Sequence, residues 1–277
     1  MQGILAFVRD VADLDSGLVW TLLFFIALET IAPRPGLKVS TASRVRALVF
    51  WSVYNAAIVL LFYLIQPLWH ALSFKPLIPS LAPTGLPRPV AIVIGCVAAA
   101  YVGDFVYYWC HRFQHRFLWR FHAVHHSVRE MSGITAYHHF SEEVTQFVLY
   151  VIPLSIFTRD PYSIPILGLL LGLQGSYLHS QTRTNFGKFG RYFSDNRFHR
   201  IHHSIEPRHF HKNFGIFTTL WDSVFGTAYF PVPGEWPQTG VADFPEPASV
   251  REFLLSPFTY RKGAPEAPTE TLAHERA

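Results

Sequence analysis

The chain has 277 residues; half are hydrophobic, only 15% are charged, and the formal net charge is +4. A soluble domain carries about 25% charged residues, so the deficit points to lipid, and the length suits one domain-sized fold rather than several. No basic block of the kind that binds nucleic acid is present. The arginines are scattered among aromatics near the ends of apolar runs, which favours anchoring at a membrane interface and excludes nucleic acid as a partner.

A bilayer-spanning helix needs about 20 mostly apolar residues. Residues 14–33 form a weak first candidate, with the apolar run LVWTLLFFIAL and two acids, Asp15 and Glu29. No cleavable leader is expected, because Arg9, Asp10 and Asp13 precede that run. Residues 47–66 contain no charge, and residues 90–109 contain one, Asp104. Two shorter runs, 144–157 and 161–178, are separated by Thr158-Arg159-Asp160 and predict a hairpin that enters the membrane and returns. Small residues recur at every fourth position at Ala91, Gly95, Ala99 and Gly103, and again at Gly168, Gly172 and Ser176, a pattern that lets membrane helices approach closely. After residue 230 the chain is rich in Pro, Glu and Ala, and residues 262–277 have the composition of a disordered tail. Cys96 and Cys110 lie on what reads as one helix and predict no disulfide. The organisation expected is therefore membrane helices over 1–89, a catalytic region over 90–230 and a partly disordered C-terminal tail over 231–277.

The loop 33–46 carries Arg34, Lys38, Arg44 and Arg46, whereas the loop 67–89 carries Lys75 and Arg88 and the N-terminal tail only Arg9. The positive-inside bias puts 33–46 in the cytoplasm. The third span then ends on the same side, and the hairpin starts and ends there.

Fourteen of the 15 histidines lie between His70 and His211. Three clusters stand out: His111 and His115; His122, His125 and His126; His199, His202 and His203. Their spacings of three and four put each set on one helix face. Neutral imidazole suits iron, copper or zinc, and eight such rings are too many for one ion, so two metals held close together are predicted. All three clusters fall at the predicted cytoplasmic face although they are up to 92 residues apart. The isolated His70 and His274 are expected to be ordinary surface residues. Asp104 lies seven residues before His111 on nearly the same face, and an acid inside a span is a functional candidate. Carboxylates around such sites orient the ligating imidazoles, which makes Asp104, Glu142 and Asp222 candidate site residues. There is no HExxH, no GxGxxG, no P-loop and no intact Glu-x-x-His pair of the carboxylate-bridged kind.

The sequence resembles the fatty acid hydroxylase/sterol desaturase superfamily of integral-membrane di-iron oxygenases over roughly residues 100–230. The resemblance is carried by DFVYYWCHRFQH at 104–115, WRFHAVHHS at 119–127, FHRIHH at 198–203, KNFG at 212–215 and WDSVFGT at 221–227. It implies an all-α fold of four or five transmembrane helices with a cytoplasmic, histidine-rich helical cap that holds a dinuclear site. The ligands it implies are His111, His115, His122, His125, His126, His139, His179, His199, His202 and His203. His139 fits the family's histidine three positions before an acid, here Glu142, and His179 its histidine at the end of the last span. The chain departs from the family at Tyr137 and Phe140, where arginine and proline are common. Its His138 leaves open which of the two adjacent histidines binds metal. His209 and His211 stand where relatives often carry Tyr and Asp, and are either surface residues or second neighbours of the site. The activity implied is O₂-dependent hydroxylation, or oxidative desaturation, of a C–H bond of a membrane lipid. The cofactors implied are two iron ions, with zinc as a possible substitute, and O₂ as co-substrate. Electrons would come from a separate protein (a ferredoxin, cytochrome or reductase), since no such domain is visible. A membrane metal transporter and a bis-histidine haem carrier are the alternatives. The first needs histidines along a path within the spans, and the second needs them paired inside the bilayer.

Overall fold

A computed structural model describes residues 2–34, 36, 38–71, 75–158 and 163–260. Among these residues there are helices and isolated bridges but no strands. Three long helices come first: α1 (Gln2–Ile31), α2 (Thr41–Ala71) and α3 (Arg88–Phe117). All three are long and apolar enough to cross a membrane. Helices α2 and α3 run past both ends of their predicted spans, whereas α1 starts earlier than its span and stops two residues short of its end. The extension of α3 decides the site, because it carries His111 and His115 in helical register past the apolar stretch.

The two helical arms expected over 144–178 are also present, although among the described residues only the three longer helices are candidate spans. A continuous helical rod runs through α5 (Ser141–Gln146), a π-helical turn (Phe147–Val151) and α6 (Ile152–Phe157). At about 1.5 Å per residue it reaches about 25 Å. Its tip meets the loop that precedes α3: Leu77 N–H donates to Ile156 O and Ile78 N–H to Phe157 O, both at 2.9 Å. The chain returns as α7 (Ser163–His179). The loop after α2 and the hairpin tip therefore share the end remote from the histidines.

The opposite end is a polar cap of short helices: α4 (Trp119–His126), α8 (Asn196–His202), α9 (Leu220–Val224) and α10 (Val250–Thr259). The end of α1 is tied to this cap by Glu29, whose carboxylate accepts from Gly133 N–H at 3.1 Å and Gln181 N–H at 3.0 Å. Ser40, just before α2, donates from its N–H and its hydroxyl to Glu130, both at 2.8 Å. The loop 33–46 and the histidine clusters thus lie on one side, as the charge pattern requires.

The two rows of small residues behave differently. Ala99 and Ala100 of α3 are buried against Leu81, Leu171 and Phe217, and a Cβ on Gly103 would sit 3.1 Å from the Tyr150 hydroxyl. Gly168 and Gly172 of α7 face open space instead, so the helix-packing expectation fails for that row. The segment after residue 230, expected as a tail, is packed structure as far as Tyr260. Ser249 caps the start of α10, its hydroxyl accepting from Glu252 N–H at 3.2 Å, and the Glu252 carboxylate reaches back to accept from Ala248 N–H at 2.9 Å. Phe244 and Phe253 are buried in the main core with Phe50 of α2 and Val124 of α4, and the Phe50 and Phe253 rings stack at 4.6 Å. Burying two phenylalanines is worth roughly 3–6 kcal/mol, one contribution toward ordering this proline-rich stretch. One core therefore draws on all three segments of the chain. His274 and the reading of 262–277 as disordered lie outside the described residues.

Candidate metal centre

Four helices deliver nine histidines to one place. The last two turns of α3 supply His111 and His115, and α4 supplies His122, His125 and His126. The C-terminus of α7 supplies His179, and α8 supplies His199, His202 and His203. Helix α8 is held at its start by Asp195, whose carboxylate accepts from the N–H groups of Arg197 and Phe198 at 3.1 and 3.0 Å.

The rings sort into two groups, in each of which the nitrogens lie within 4.8 Å of one another: His111, His115, His122, His126 and His202; and His125, His179, His199 and His203. The groups adjoin. The His126 and His203 rings stack at 4.3 Å, and those of His199 and His202 at 5.3 Å. Within the first group, Nε2–Nε2 distances are 3.0 Å for His111–His122, 3.1 Å for His122–His126 and 3.2 Å for His115–His202. Within the second, His179 Nε2 lies 3.0, 3.2 and 3.3 Å from the Nε2 atoms of His199, His203 and His125.

These contacts are not ordinary hydrogen bonds, and the tautomers show why. A carbonyl only accepts, so a ring whose Nδ1 meets one carries its proton there and points a bare lone pair from Nε2. This applies to His111 against Phe214 O at 2.9 Å, His202 against Lys212 O at 2.7 Å, His179 against Gly175 O at 2.6 Å and His125 against Tyr137 O at 3.3 Å. His122 Nδ1 meets the Glu142 carboxylate at 2.7 Å. In the pair His125–His179, two lone pairs therefore face each other with no proton between them. A cation resolves that repulsion. Metal–imidazole bonds are about 2.0–2.1 Å, so two nitrogens on one ion lie about 2.8–3.4 Å apart for right-angled to tetrahedral arrangements. The observed spacings fall in that range, and the donor set fits metal.

Burial drives the pKa values of His125, His126, His199 and His203 well below the usual imidazole value, and neighbouring imidazoles add to the effect. Burial likewise takes His202 down to about 3. The rings are thus neutral at physiological pH, the state a ligand needs. Glu142 goes the other way. Burial alone would raise its carboxyl, but the facing His122 and His138 outweigh burial and hold it down to about 2. It is therefore a carboxylate that fixes the His122 ring.

His139 is the one expected ligand that lies outside both groups. Its Nδ1 contacts the Ser141 hydroxyl at 2.6 Å, and its ring packs on Phe140 and Phe253. Its neighbour His138 is closer to the site: it stacks on His125 at 3.9 Å and reaches Glu142 at 3.5 Å. His209 is buried against Ser204, Glu235 and Tyr229, away from both groups. His211 is exposed, 6.3 Å from the His115 ring.

Asp104 and Asp222, expected beside imidazoles, instead hold a loop. Asp104 accepts from the N–H groups of Ile216, Phe217 and Thr218 at 3.0, 2.9 and 3.0 Å, and from the Thr218 hydroxyl at 2.9 Å. Asp222 accepts from Phe214 and Gly215 N–H at 2.9 and 2.8 Å, and from the Thr227 hydroxyl at 2.6 Å. The physical reason is supply and demand. The loop turns its N–H groups inward and needs buried anions, while its carbonyls at Lys212 and Phe214 serve His202 and His111. Asn213, at φ 61°, makes the turn possible, and its side chain bridges Phe198 O and Tyr229. Gly215 is obligatory, because a Cβ there would sit 2.4 Å from Thr218 O. The backbone carbonyls that set the tautomers were not visible to sequence reasoning; the KNFG block around two of them was the available signal.

Among the described residues, an all-helical scaffold with three candidate membrane spans and adjoining histidine groups that could hold metal has the outline of a histidine-rich membrane protein. The fatty acid hydroxylase family model matches residues 96–227, just under half of the chain. Among curated proteins the chain is 32% identical over 152 residues to the ornithine lipid hydroxylase OlsE of Rhizobium tropici, covering 54% of this chain and 45% of that protein. It is 30% identical over 132 residues to an alkylglycerol monooxygenase of Caenorhabditis elegans, covering 45% and 25%. It is 30% identical over 172 residues to a putative methylsterol monooxygenase of Dictyostelium discoideum, covering 60% of each. The matched stretches thus span a quarter to three fifths of these relatives. No solved structure matches the chain.

Proposed function

We propose that the chain is an O₂-dependent oxygenase that hydroxylates an unactivated C–H bond of a membrane lipid. The observation that carries this reading is the convergence of nine histidine rings in two adjoining groups, with tautomers set so that lone pairs face inward. The named relatives supply the substrate class, since they act on ornithine lipid, alkylglycerol and methylsterol. Two iron ions are the metals proposed. They would be held by His111, His115, His122, His126 and His202 on one side and by His125, His179, His199 and His203 on the other. When bound, they supply the activation of O₂, with electrons delivered by a separate protein from the cytoplasmic side.

The protein's own residues do the rest. Glu142 keeps His122 oriented, and Asp104 and Asp222 keep the loop whose carbonyls orient His111 and His202. Lipid has an approach from the bilayer. A cleft of about 430 Å³ between α1, α2 and α7 is lined by Leu14, Leu18, Trp51, Gly168 and Leu173. The open row at Gly168 and Gly172 is thus the floor of a cleft. Its inner wall, Trp51, lies 6.1 Å from the His138 ring, which stacks on His125. The histidines gather at one end of the spans rather than along them, which favours an oxygenase over a transporter. Lipid mass spectrometry of cells with and without the gene tests the reading: a lipid one oxygen heavier should appear only with the gene. Its absence, with intact protein present in the membrane and a donor supplied, would remove the proposal.

A further inference from the structure

Away from the histidines, two arginines stack on one indole and a third lies close to the first of them. Arg34 lies three residues beyond the end of α1; Arg197 and Arg200 lie on α8; Trp236 comes from the segment after residue 230. The Arg34 guanidinium sits 3.8 Å from the centre of the Trp236 ring and that of Arg200 4.6 Å from it. Arg197 donates to the carbonyls of Pro231 and Val232, and Arg200 Nε donates to Pro237 O at 2.8 Å. No carboxylate pairs with any of the three arginines among the described residues. Arg200 is only 3% exposed, yet its Nη1 has no partner, and the buried Trp236 Nε1 has none either.

Both facts are costly. A buried donor without an acceptor is destabilising, more so when charged, and three guanidiniums with no counter-charge repel one another. One anion relieves both costs. A carboxylate offers two oxygens in one plane, whereas a phosphodiester offers two charged oxygens directed tetrahedrally, with ester oxygens beside them, to the guanidinium forks and the indole N–H. The location narrows the source. Arg34 follows a membrane-spanning helix directly, which sets the cluster at headgroup depth, and tryptophan and arginine are the residues that anchor at that level.

We infer that Arg34, Arg197, Arg200 and Trp236 form a phosphate-binding site, filled by the headgroup of an anionic phospholipid and separate from the metal centre. It stands whether or not the chain is a hydroxylase. Calorimetric titration of the full-length protein in neutral detergent tests it, with dihexanoyl phosphatidylglycerol and inorganic phosphate as separate probes. The lipid should bind, and Arg34→Gln and Trp236→Phe should each weaken it by about tenfold or more while leaving metal content unchanged. Trp236→Phe keeps a ring beneath the guanidiniums and deletes only the N–H. Phosphate binding as tightly as the lipid, with both lost in the variants, would keep the site and assign it to a soluble phosphate. Absence of binding by either probe to the wild-type protein overturns the inference, as does equal affinity in wild type and variants. If a polyglutamate peptide alone binds and the variants lose it, the cluster is a protein-docking patch and the phosphate assignment is overturned.

Discussion

At the scale of single residues, the geometry separates histidines that the sequence could not. His125→Ala and His202→Ala each remove a lone pair from a different group, so each should cost metal and abolish turnover while leaving membrane insertion intact. His139→Ala should keep its full metal complement, because that ring faces Ser141 and Phe253 rather than either group; loss of a metal equivalent would put it back among the ligands. Glu142→Gln removes the charge that fixes His122, and metal affinity should fall by roughly 10–100-fold, measured by competition with a chelator. An unchanged affinity would make Glu142 a bystander. The clusters at 111–126 and 199–203 were legible because helical spacing puts residues on a face from sequence alone. The exclusion of His139 was not, since it depends on which way the chain turns between Tyr137 and Ser141, and two adjacent histidines offer no periodicity to decide it.

At the scale of elements, the loop 212–218 links two carboxylates to two ligands. Asp104 and Asp222 bind its N–H groups, and its carbonyls bind His202 and His111. Asp104→Asn keeps the size but weakens the bonds to three N–H groups, and hydrogen bonds to charged groups are worth about 1.5–3 kcal/mol each against about 1 for neutral ones. A net loss of about 2–3 kcal/mol lowers Tm by about 5–10 °C in a chain of this size. Metal loss should accompany the unfolding rather than precede it. Metal loss at full thermal stability would instead indicate a direct action on the ligands. The sequence showed Asp104 as an acid within a span but not its partners, because pairing across 112 residues leaves no local signature. The long apolar helices were legible from composition, and their ends were not, since helices α1 to α3 continue into polar surroundings that propensity alone does not forbid. The structure after residue 230 was hidden for the opposite reason. Its Pro, Glu and Ala suggest disorder, and only the burial of Phe244 and Phe253 against α2 and α4 overrides them.

At the scale of the whole molecule, the cap gathers neutral imidazoles in a volume that excludes water, and this makes stability depend on pH with a defined sign. In the unfolded chain each histidine takes up a proton near pH 6.5. In the folded, metal-free chain, burial lowers His125, His126, His199 and His203 well below that value and His202 to about 3. Below pH about 6.5 the unfolded state therefore binds more protons than the folded one. Stability rises with pH in that window, is fully present above it, and is lost as pH falls toward the folded values. Glu142 adds no pH dependence between pH 6.5 and 4.5. Its depressed pKa of about 2 contributes stability above the usual carboxylate range and is lost only as pH falls below that range. Metal-free protein in detergent should thus show a Tm that is flat from pH 8 to 7 and falls steadily from pH 6.5 to 5. Bound metal should move the onset of the fall to lower pH, because protons must then displace the ion as well as enter the core. A Tm independent of pH between 7 and 5 in the metal-free form would mean that the imidazoles are not buried as a neutral group. The inward-facing lone pairs on which the metal assignment rests would go with them.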